Sequence, residues 1–115
     1  MNNIRNRVQL IGNLGKDVEL FNFDSGSKKA IITLATNEYY KNNKGEKVTD
    51  TQWHTIVAWG NLAELMASSL EKGNEVVVNG KLTQRSYDDK QGNKRFVTEV
   101  VANEFMRVTK KVTPF

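Results

Sequence analysis

Two tryptophans, Trp53 and Trp59, are the residues of this chain best suited to bind a flat ligand. They belong to the segment QWHTIVAWG, residues 52–60, whose composition predicts a β-strand. Because side chains alternate between the two faces of a strand, both indoles share one face and His54 lies on the other. Paired indoles also suit a protein core, since each carries a large apolar area. The rest of the sequence indicates whether the two indoles belong to a core or to a binding surface.

Basic residues and further aromatic rings favour a binding surface. Residues 81–95 hold five basic residues against Asp88 and Asp89, a net charge of +3, and include Tyr87. Single-stranded nucleic acid exposes its base faces, which stack on aromatic rings while Lys and Arg follow the phosphates. We therefore expect a stacking surface with basic surroundings. The rings of this surface are Tyr40, Trp53, Trp59 and Tyr87, and the basic residues of segment 81–95 are Lys81, Arg85, Lys90, Lys94 and Arg95.

Composition limits the class of protein. The chain has 115 residues, enough for a single domain with one core. Its formal net charge of +4 favours a polyanionic partner. It contains no cysteine, which excludes disulfide scaffolds and thiolate metal sites. No segment has the pattern of a signal peptide or a membrane span, so we expect a cytoplasmic, nucleoid-associated protein without membrane contact.

Alternation of apolar and polar residues predicts five strands. Glycines at positions 12 and 15 predict a bend in the first strand, which also projects Arg5 and Arg7 together. Residues 40–50 are hydrophilic and are predicted to form a loop or a ribbon tip that carries Lys47. The predicted strands cover residues 4–14 with a continuation over 18–23, then 28–39, 52–60, 75–87 and 94–108.

A helical period occurs once, between Asn61 and Lys72. Asn61 with Glu64 three residues later resembles a capping box, and Gly73 suits the residue after the last turn. The apolar stripe of this helix comprises Leu62, Leu65, Met66 and Leu70.

The order of these elements is three strands, one helix and two strands. That order is typical of an all-β, five-stranded Greek-key barrel of the OB type, with the helix between strands three and four. An immunoglobulin-like sandwich would need about seven strands and no such helix.

Catalytic residues are not expected. His54 is the only histidine, and the chain offers no thiol or second imidazole to complete a common nucleophilic or zinc site. Asp88 and Asp89 are adjacent residues of a predicted turn, where carboxylates are usually solvated. The glycines do not have the spacing of a phosphate-binding loop. We predict that the protein is not an enzyme and has no cofactor or bound metal.

The sequence also resembles a known family over about residues 4–107. The matching segments are NRVQLIGNLGKDVEL, ITLATNEYY, TQWHTIVAWGNLAELMASSLEKG and VVVNGKLTQRSYDDKQGNKRFVTEVVANE. They are similar to the DNA-binding domain of bacterial-type single-stranded DNA-binding proteins. The resemblance implies an OB fold and a homotetramer built as a dimer of dimers. It also implies sequence-independent binding and protection of single-stranded DNA in replication, recombination and repair.

The resemblance extends to individual aromatic positions. Trp53 matches the family's stacking tryptophan, and Trp59 takes the place of its stacking phenylalanine. Tyr40 and Tyr87 stand where tryptophans are common. His54 matches a histidine at the subunit contact.

Basic positions complete the candidate site. By the resemblance, Arg7, Lys72 and Arg85 fall at or beside basic positions of the family's DNA path. Together with the residue-based arguments, the candidate nucleic-acid-binding residues are Tyr40, Trp53, Trp59, Tyr87, Arg5, Arg7, Lys47, Lys72, Lys81, Arg85, Lys90, Lys94 and Arg95.

The chain departs from the family pattern in two ways. Neutral residues at positions 55, 61 and 86 stand where relatives often carry a base, so we expect fewer phosphate contacts and a weaker dependence on salt. Pro114 and Phe115 match the end of the family's acidic tip, but Lys110 and Lys111 precede them. We expect residues 1–108 to form the DNA-binding domain. Residues 109–115 would be a short tail without an acidic linker, with weakened binding of replication and repair proteins.

Other function classes stay open from the residues alone. An OB domain also serves as a protein-interaction subunit of the primosome type or as an RNA-binding domain. The 2′-hydroxyl distinguishes RNA from DNA, and no residue here declares a preference. A nuclease on an OB barrel is disfavoured because the sequence offers no clustered carboxylates to hold a metal.

Overall fold

Six strands and one helix form the fold of residues 4–108, the part of the chain described by the computed structural model. In chain order they are β1 (Val8–Leu14), β2 (Glu19–Asn22), β3 (Lys28–Lys41), β4 (Lys47–Trp59), α1 (Gly60–Ser69), β5 (Glu75–Asp88) and β6 (Lys94–Val108). The sheet order is β1-β5-β6-β4-β3-β2, and β1 also pairs with β3. That extra pairing closes a five-stranded barrel with β2 as an additional edge strand. The predicted barrel with one helix is therefore confirmed.

The predicted first strand is divided into β1 and β2. β1 pairs with β5 and then turns onto β3, where Asn13 lies opposite Ala35. A Cβ atom at Gly12 would overlap the carbonyl oxygen of Ala35, so glycine is required where the two backbones cross. The predicted start at Ile4 is wrong, because pairing begins at Val8.

The β3–β4 hairpin is longer than the sequence predicted. The strands run to Lys41 and from Lys47, so most of the predicted loop at 40–50 is paired strand and only residues 42–46 form the tip. In that tip, Oδ1 of Asn42 accepts hydrogen bonds from the backbone amides of Lys44 and Glu46 at 2.9 and 3.0 Å. The Asn42 side chain thus satisfies two backbone amides that have no partner in the β3–β4 ladder.

The tip of the β5–β6 hairpin repeats this design. Oδ1 of Asp89 accepts hydrogen bonds from the backbone amides of Gln91 and Asn93 at 2.9 and 2.8 Å. Gly92 has a φ of 81°, in the left-handed region that glycine enters without strain. Both hairpins therefore end in turns that are closed by their own side chains.

Helix α1 begins and ends at other residues than predicted. Its N-cap is Trp59, and no side chain caps it, so the predicted Asn61 cap is wrong. Glu64 forms an ion pair with Lys28 of β3 instead of completing a capping box. The helix ends at Ser69 with an extended C-cap at Leu70, so the prediction that it reaches Lys72 is also wrong.

Burial follows the predicted alternation inside the barrel. Met66 of α1 closes a core in which six large side chains are fully buried, namely Ile32, Leu34, Ile56, Met66, Val76 and Val78. Two predicted apolar positions lie outside this core: Leu65 is 54% and Leu82 is 43% exposed. Leu65 lines a groove with Leu20 of β2. Leu82 follows an irregularity at Asn79/Gly80 in the pairing of β5 with β6.

β2 and β3 pair as an antiparallel hairpin. Across residues 4–108, no helix has the length and apolar character needed to cross a membrane.

We predict that Gly80→Ala destabilises the fold, because the added methyl group would overlap the carbonyl oxygen of Val101. Overpacking of this kind costs about 1–3 kcal/mol in the free energy of unfolding. Chemical denaturation followed by circular dichroism measures it. Ser86→Ala, at an exposed position of the same strand, is the control and should change stability by less than about 0.5 kcal/mol. Equal stability of the two variants would contradict the prediction.

Candidate nucleic-acid interface

Both indoles lie on the outer side of the β3–β4 ladder. Their even-numbered neighbours Ile56 and Ala58 are fully buried in the barrel, whereas Trp53 and Trp59 are 61% and 50% exposed. We call the side of the sheet that carries both indoles the tryptophan face. At 3.3 Å per residue, the two rings are about 20 Å apart along β4. A role for the indoles in the core is therefore excluded.

Each indole contacts a residue from a neighbouring segment. The six-membered ring of Trp53 lies against Gly15, where an added Cβ would come within 2.5 Å of Cζ3. Lys29 is directly opposite Trp59 in the ladder, and its Nζ is 5.3 Å from the centroid of the ring. This distance is within cation–π range. The fold thus orients both rings while leaving much of their surface accessible.

A tyrosine that the sequence analysis missed joins the tryptophan face. The ladder pairs Ala35 with Trp53 and Tyr39 with Thr49, so Tyr39 lies on the same side of the sheet as the indoles. It is 64% exposed, and the Nζ of Lys47 lies 5.4 Å from its ring. Tyr40 is 53% exposed on the opposite side of this two-stranded ribbon. The hairpin register decides which tyrosine joins the indoles, and the sequence alone does not give that register.

The β5–β6 hairpin adds a second part to the tryptophan face. β6 runs parallel to β4, and Val57 on the tryptophan face lies opposite Val101. Because side chains alternate along a strand, Val101 and Arg95 project from the same side of β6. Arg95 is directly opposite Tyr87, which is 48% exposed. On β5 the residues of this side are Lys81, Thr83, Arg85 and Tyr87, as the sequence pattern predicts.

Two of the predicted basic residues pair with carboxylates. Arg85 is 3.2 Å from Glu99, and Arg95 is 3.0 Å from Asp89. The backbone amide of Asn93, followed by the Arg95 guanidinium, lowers the pKa of Asp89 below its ordinary value. Both arginine side chains are more than half exposed, whereas the Glu99 and Asp89 side chains are only 11% and 21% exposed. Each guanidinium group therefore stays accessible to a further anion while it pairs with its carboxylate.

The opposite side of the β5–β6 hairpin carries an aromatic residue that the sequence analysis did not single out. Phe96 is 75% exposed, and the Nζ of Lys94 is 6.0 Å from its ring. Lys94 therefore lies on the other side from Tyr87 and Arg95. Lys90 is exposed in the tip between the two strands.

The remaining basic candidates lie in the segment before β1 and in the segment after α1. Arg5 and Arg7 are exposed in the segment before β1, where Asn6 exchanges hydrogen bonds of 2.8 and 2.9 Å with the backbone of Leu82. Lys72 follows α1, and its backbone amide donates to Asp17 Oδ1 at 2.8 Å. The predicted tail residues Pro114 and Phe115 lie outside the described residues.

His54 lies on the other side of β4 from the tryptophans. It is partly buried, and its Nε2 shares a hydrogen bond of 2.9 Å with the hydroxyl of Thr36. It also lines a cleft of about 220 Å³ between the two hairpins, together with Leu82 and Thr98. Among residues 4–108, no group of three or more His, Cys, Asp or Glu side chains is placed to hold a metal ion.

Comparison with known proteins agrees with this geometry. The profile of the Single-strand binding protein family matches residues 5–108. Single-stranded DNA-binding protein 1 of Xylella fastidiosa is 39% identical over 107 residues, which cover 92% of this chain and 79% of the relative. Single-stranded DNA-binding protein 1 of Chlorobaculum tepidum is 42% identical over 107 residues, covering 92% of this chain and 66% of the relative.

Two solved structures share the fold. An SSB of Plasmodium falciparum in complex with single-stranded DNA has a TM-score of 0.83 and 29% identity, covering 95% of this chain and 100% of that one. A deletion mutant of the single-stranded DNA binding protein from Thermus aquaticus has a TM-score of 0.79 and 25% identity. That match covers 90% of this chain and 50% of the Thermus protein, so the chain spans half of its length.

We predict that Gly15→Ala displaces the ring of Trp53, because the new methyl group occupies the space against which the indole lies. In a Trp59→Phe background, which leaves Trp53 as the only tryptophan, the emission maximum and anisotropy of Trp53 should change. Ser86→Ala in the same background is the control, since Ser86 is an exposed residue of β5. Identical Trp53 emission in both variants would show that the contact with Gly15 does not orient the ring.

Proposed function

The chain belongs to the single-strand binding protein family, and we propose that it holds single-stranded DNA of any sequence on the tryptophan face. As a member of this DNA-binding family it is a non-enzymatic protein. Coating of this kind would protect unpaired strands during replication, recombination and repair. Family membership favours this function over the RNA-binding and protein-interaction alternatives.

The exposure of Trp53 and Trp59 on one sheet face is the observation that carries the proposal. Large aromatic rings left half or more exposed offer flat apolar plates to solvent. Unpaired bases stack on such plates with about 1–3 kcal/mol each, and every base has a face that can do so. Tyr39, Tyr40 and Tyr87 provide further exposed rings along the two hairpins. Stacking therefore explains binding that is strong but indifferent to sequence.

Basic residues around these rings would hold the phosphates. Arg85 and Arg95 would bind phosphate oxygens through their exposed guanidinium groups, because each arginine side chain is more than half exposed while it pairs with its carboxylate. Each phosphate neutralised releases counterions, and binding then weakens with salt by a slope of about 0.7 per contact. We assign the same role to Arg5, Arg7, Lys47, Lys72, Lys81, Lys90 and Lys94.

The protein would act as a homotetramer, a dimer of dimers. Support comes from the outer side of the β1-β5-β6 sheet, where Ile11, Val77 and Met106 form one row across three strands. Ile11 is 54% and Met106 is 63% exposed. An apolar row left open in this way is a typical site of protein association.

Two polar features next to this row also suit contact with a second copy. The Nδ2 of Asn79 donates to Glu104 at 2.7 Å, while its buried Oδ1 has no hydrogen-bond partner within the described structure. An orphaned buried acceptor is costly, and a donor from a second copy would satisfy it. We place the partly buried His54 at another subunit contact.

We predict that Trp53→Ala and Trp59→Ala each weaken binding of poly-dT by about 1–3 kcal/mol, because each removes one stacking plate. Both rings are exposed, so the melting temperature should change little. Fluorescence anisotropy of a labelled oligonucleotide measures the affinity, and competition with poly-rU tests the preference for DNA.

The Trp→Phe variants at the same positions serve as controls that retain a ring. They should lose less affinity than the Trp→Ala variants. Unchanged affinity in both Trp→Ala variants would show that the tryptophan face does not bind the strand.

We predict that Met106→Asp breaks the assembly, because it places a charge in the apolar row between copies. Light scattering should then give a smaller mass than for the wild type at the same concentration. Phe96→Asp introduces the same charge at a residue that is 75% exposed on the β5–β6 hairpin, and it should leave the mass unchanged. A monomeric wild type, or an unchanged mass for Met106→Asp, would contradict the proposed interface.

A further inference from the structure

Phe21, Lys29 and Trp59 form a row across three neighbouring strands. Phe21 of β2 is directly opposite Lys29 of β3, and Lys29 is directly opposite Trp59 of β4. Residues directly opposite one another project to the same side of a sheet. The row therefore lies on the tryptophan face, at the end where β4 leads into α1.

Phe21 presents its ring on that face. It is 41% exposed, although it belongs to a strand of only four residues. Its neighbour Leu20 is 38% exposed and points to the other side, where it lines a groove with Leu65 of α1. β2 thus presents one apolar side chain to the helix and one aromatic ring to the tryptophan face.

The charges along this row suit an anion between two rings. The Nζ of Lys29 lies over the Trp59 ring, 5.3 Å from its centroid, and strand pairing places Lys29 between Phe21 and Trp59. Glu19 is on the same side of β2 as Phe21, but it pairs with Lys16 at 2.6 Å. Lys16, Glu19 and Lys29 together carry a net charge of +1 on this part of the surface.

The spacing of the row fits two nucleotides. Strands in a sheet are about 4.8 Å apart, so the backbones of Phe21 and Trp59 are about 10 Å apart with Lys29 midway. One base on each ring would leave the phosphate between them beside Lys29. A protein partner covering the same row would have to supply a carboxylate to Lys29, because an unpaired buried ammonium group is costly, whereas every nucleic-acid strand supplies a phosphate.

We propose that Phe21 and Lys29 form an additional stacking and phosphate subsite, which extends the path of single-stranded DNA beyond Trp59. The path follows β4 from Trp53 to Trp59, turns there, and leaves the barrel over the edge strand β2. This inference rests on the function proposed above and adds to it a direction and two residues.

Phe21→Ala tests the stacking subsite. With a dT oligonucleotide long enough to saturate the wild type, affinity should fall about 5- to 100-fold, the range that loss of one stacked base allows. Phe21→Leu keeps an apolar side chain but has no flat ring, and it should lose a similar factor. Leu20→Ala is the matched control on the opposite side of the same strand, and its affinity should equal that of the wild type.

Lys29→Met tests the phosphate contact. The slope of log affinity against log salt should become shallower by about 0.7, the value for one phosphate contact with a single strand. Lys28→Met is the matched control, because Lys28 is the neighbouring residue and pairs with Glu64 of α1. Its slope should match that of the wild type.

The outcomes separate this inference from the function on which it rests. If the wild type binds poly-dT and Trp53→Ala weakens it, but Phe21→Ala behaves like Leu20→Ala, the subsite is wrong and the function stands. If the wild type does not bind poly-dT, the function itself fails. If Phe21→Ala changes the mass of the DNA-free protein in light scattering while Phe21→Leu binds DNA normally, the ring is a protein contact and the inference is overturned.

Discussion

The unbroken ladder between β3 and β4 is the constraint on which the other features depend. Its register runs from Lys29 opposite Trp59 to Lys41 opposite Lys47 without a bulge. A shift by one residue would turn the indoles inward and expose Ile56 and Ala58. Burial of the aliphatic side therefore enforces exposure of the aromatic side. The core and the exposed tryptophan face are two results of the same pairing.

Close backbone crossings hold this ladder in a closed barrel. Gly12 lies against the carbonyl group of Ala35, and Gly80 lies against that of Val101. Neither position has room for a side chain, so the strands approach more closely than ordinary residues allow. Closure also places β6 beside β4, so residues of both hairpins share the tryptophan face. These two glycines thus permit the close strand packing that brings the two hairpins together.

Much of the fold could be predicted from the sequence because it depends on local patterns. Alternation in β3 and β4 gave the buried and exposed sides correctly, and the element order gave the barrel. The capping of α1 could not be predicted, because Glu64 has a tertiary partner in Lys28 that no local motif reveals. The place of Tyr39 beside the indoles depends on hairpin register, which the sequence leaves open. The row from Phe21 to Trp59 likewise needs the pairing of three strands.

The turns closed by Asn42 and Asp89 have a consequence for the thermodynamics of ligand capture. In each tip one side-chain oxygen accepts hydrogen bonds from two backbone amides, so the turn needs no ligand to satisfy them. Loops that become ordered only on contact subtract conformational entropy from the affinity. The two hairpin tips would lose this conformational entropy during folding instead of during binding. A strand settling between them would therefore meet preorganised walls, and more of the stacking energy would be retained as net binding.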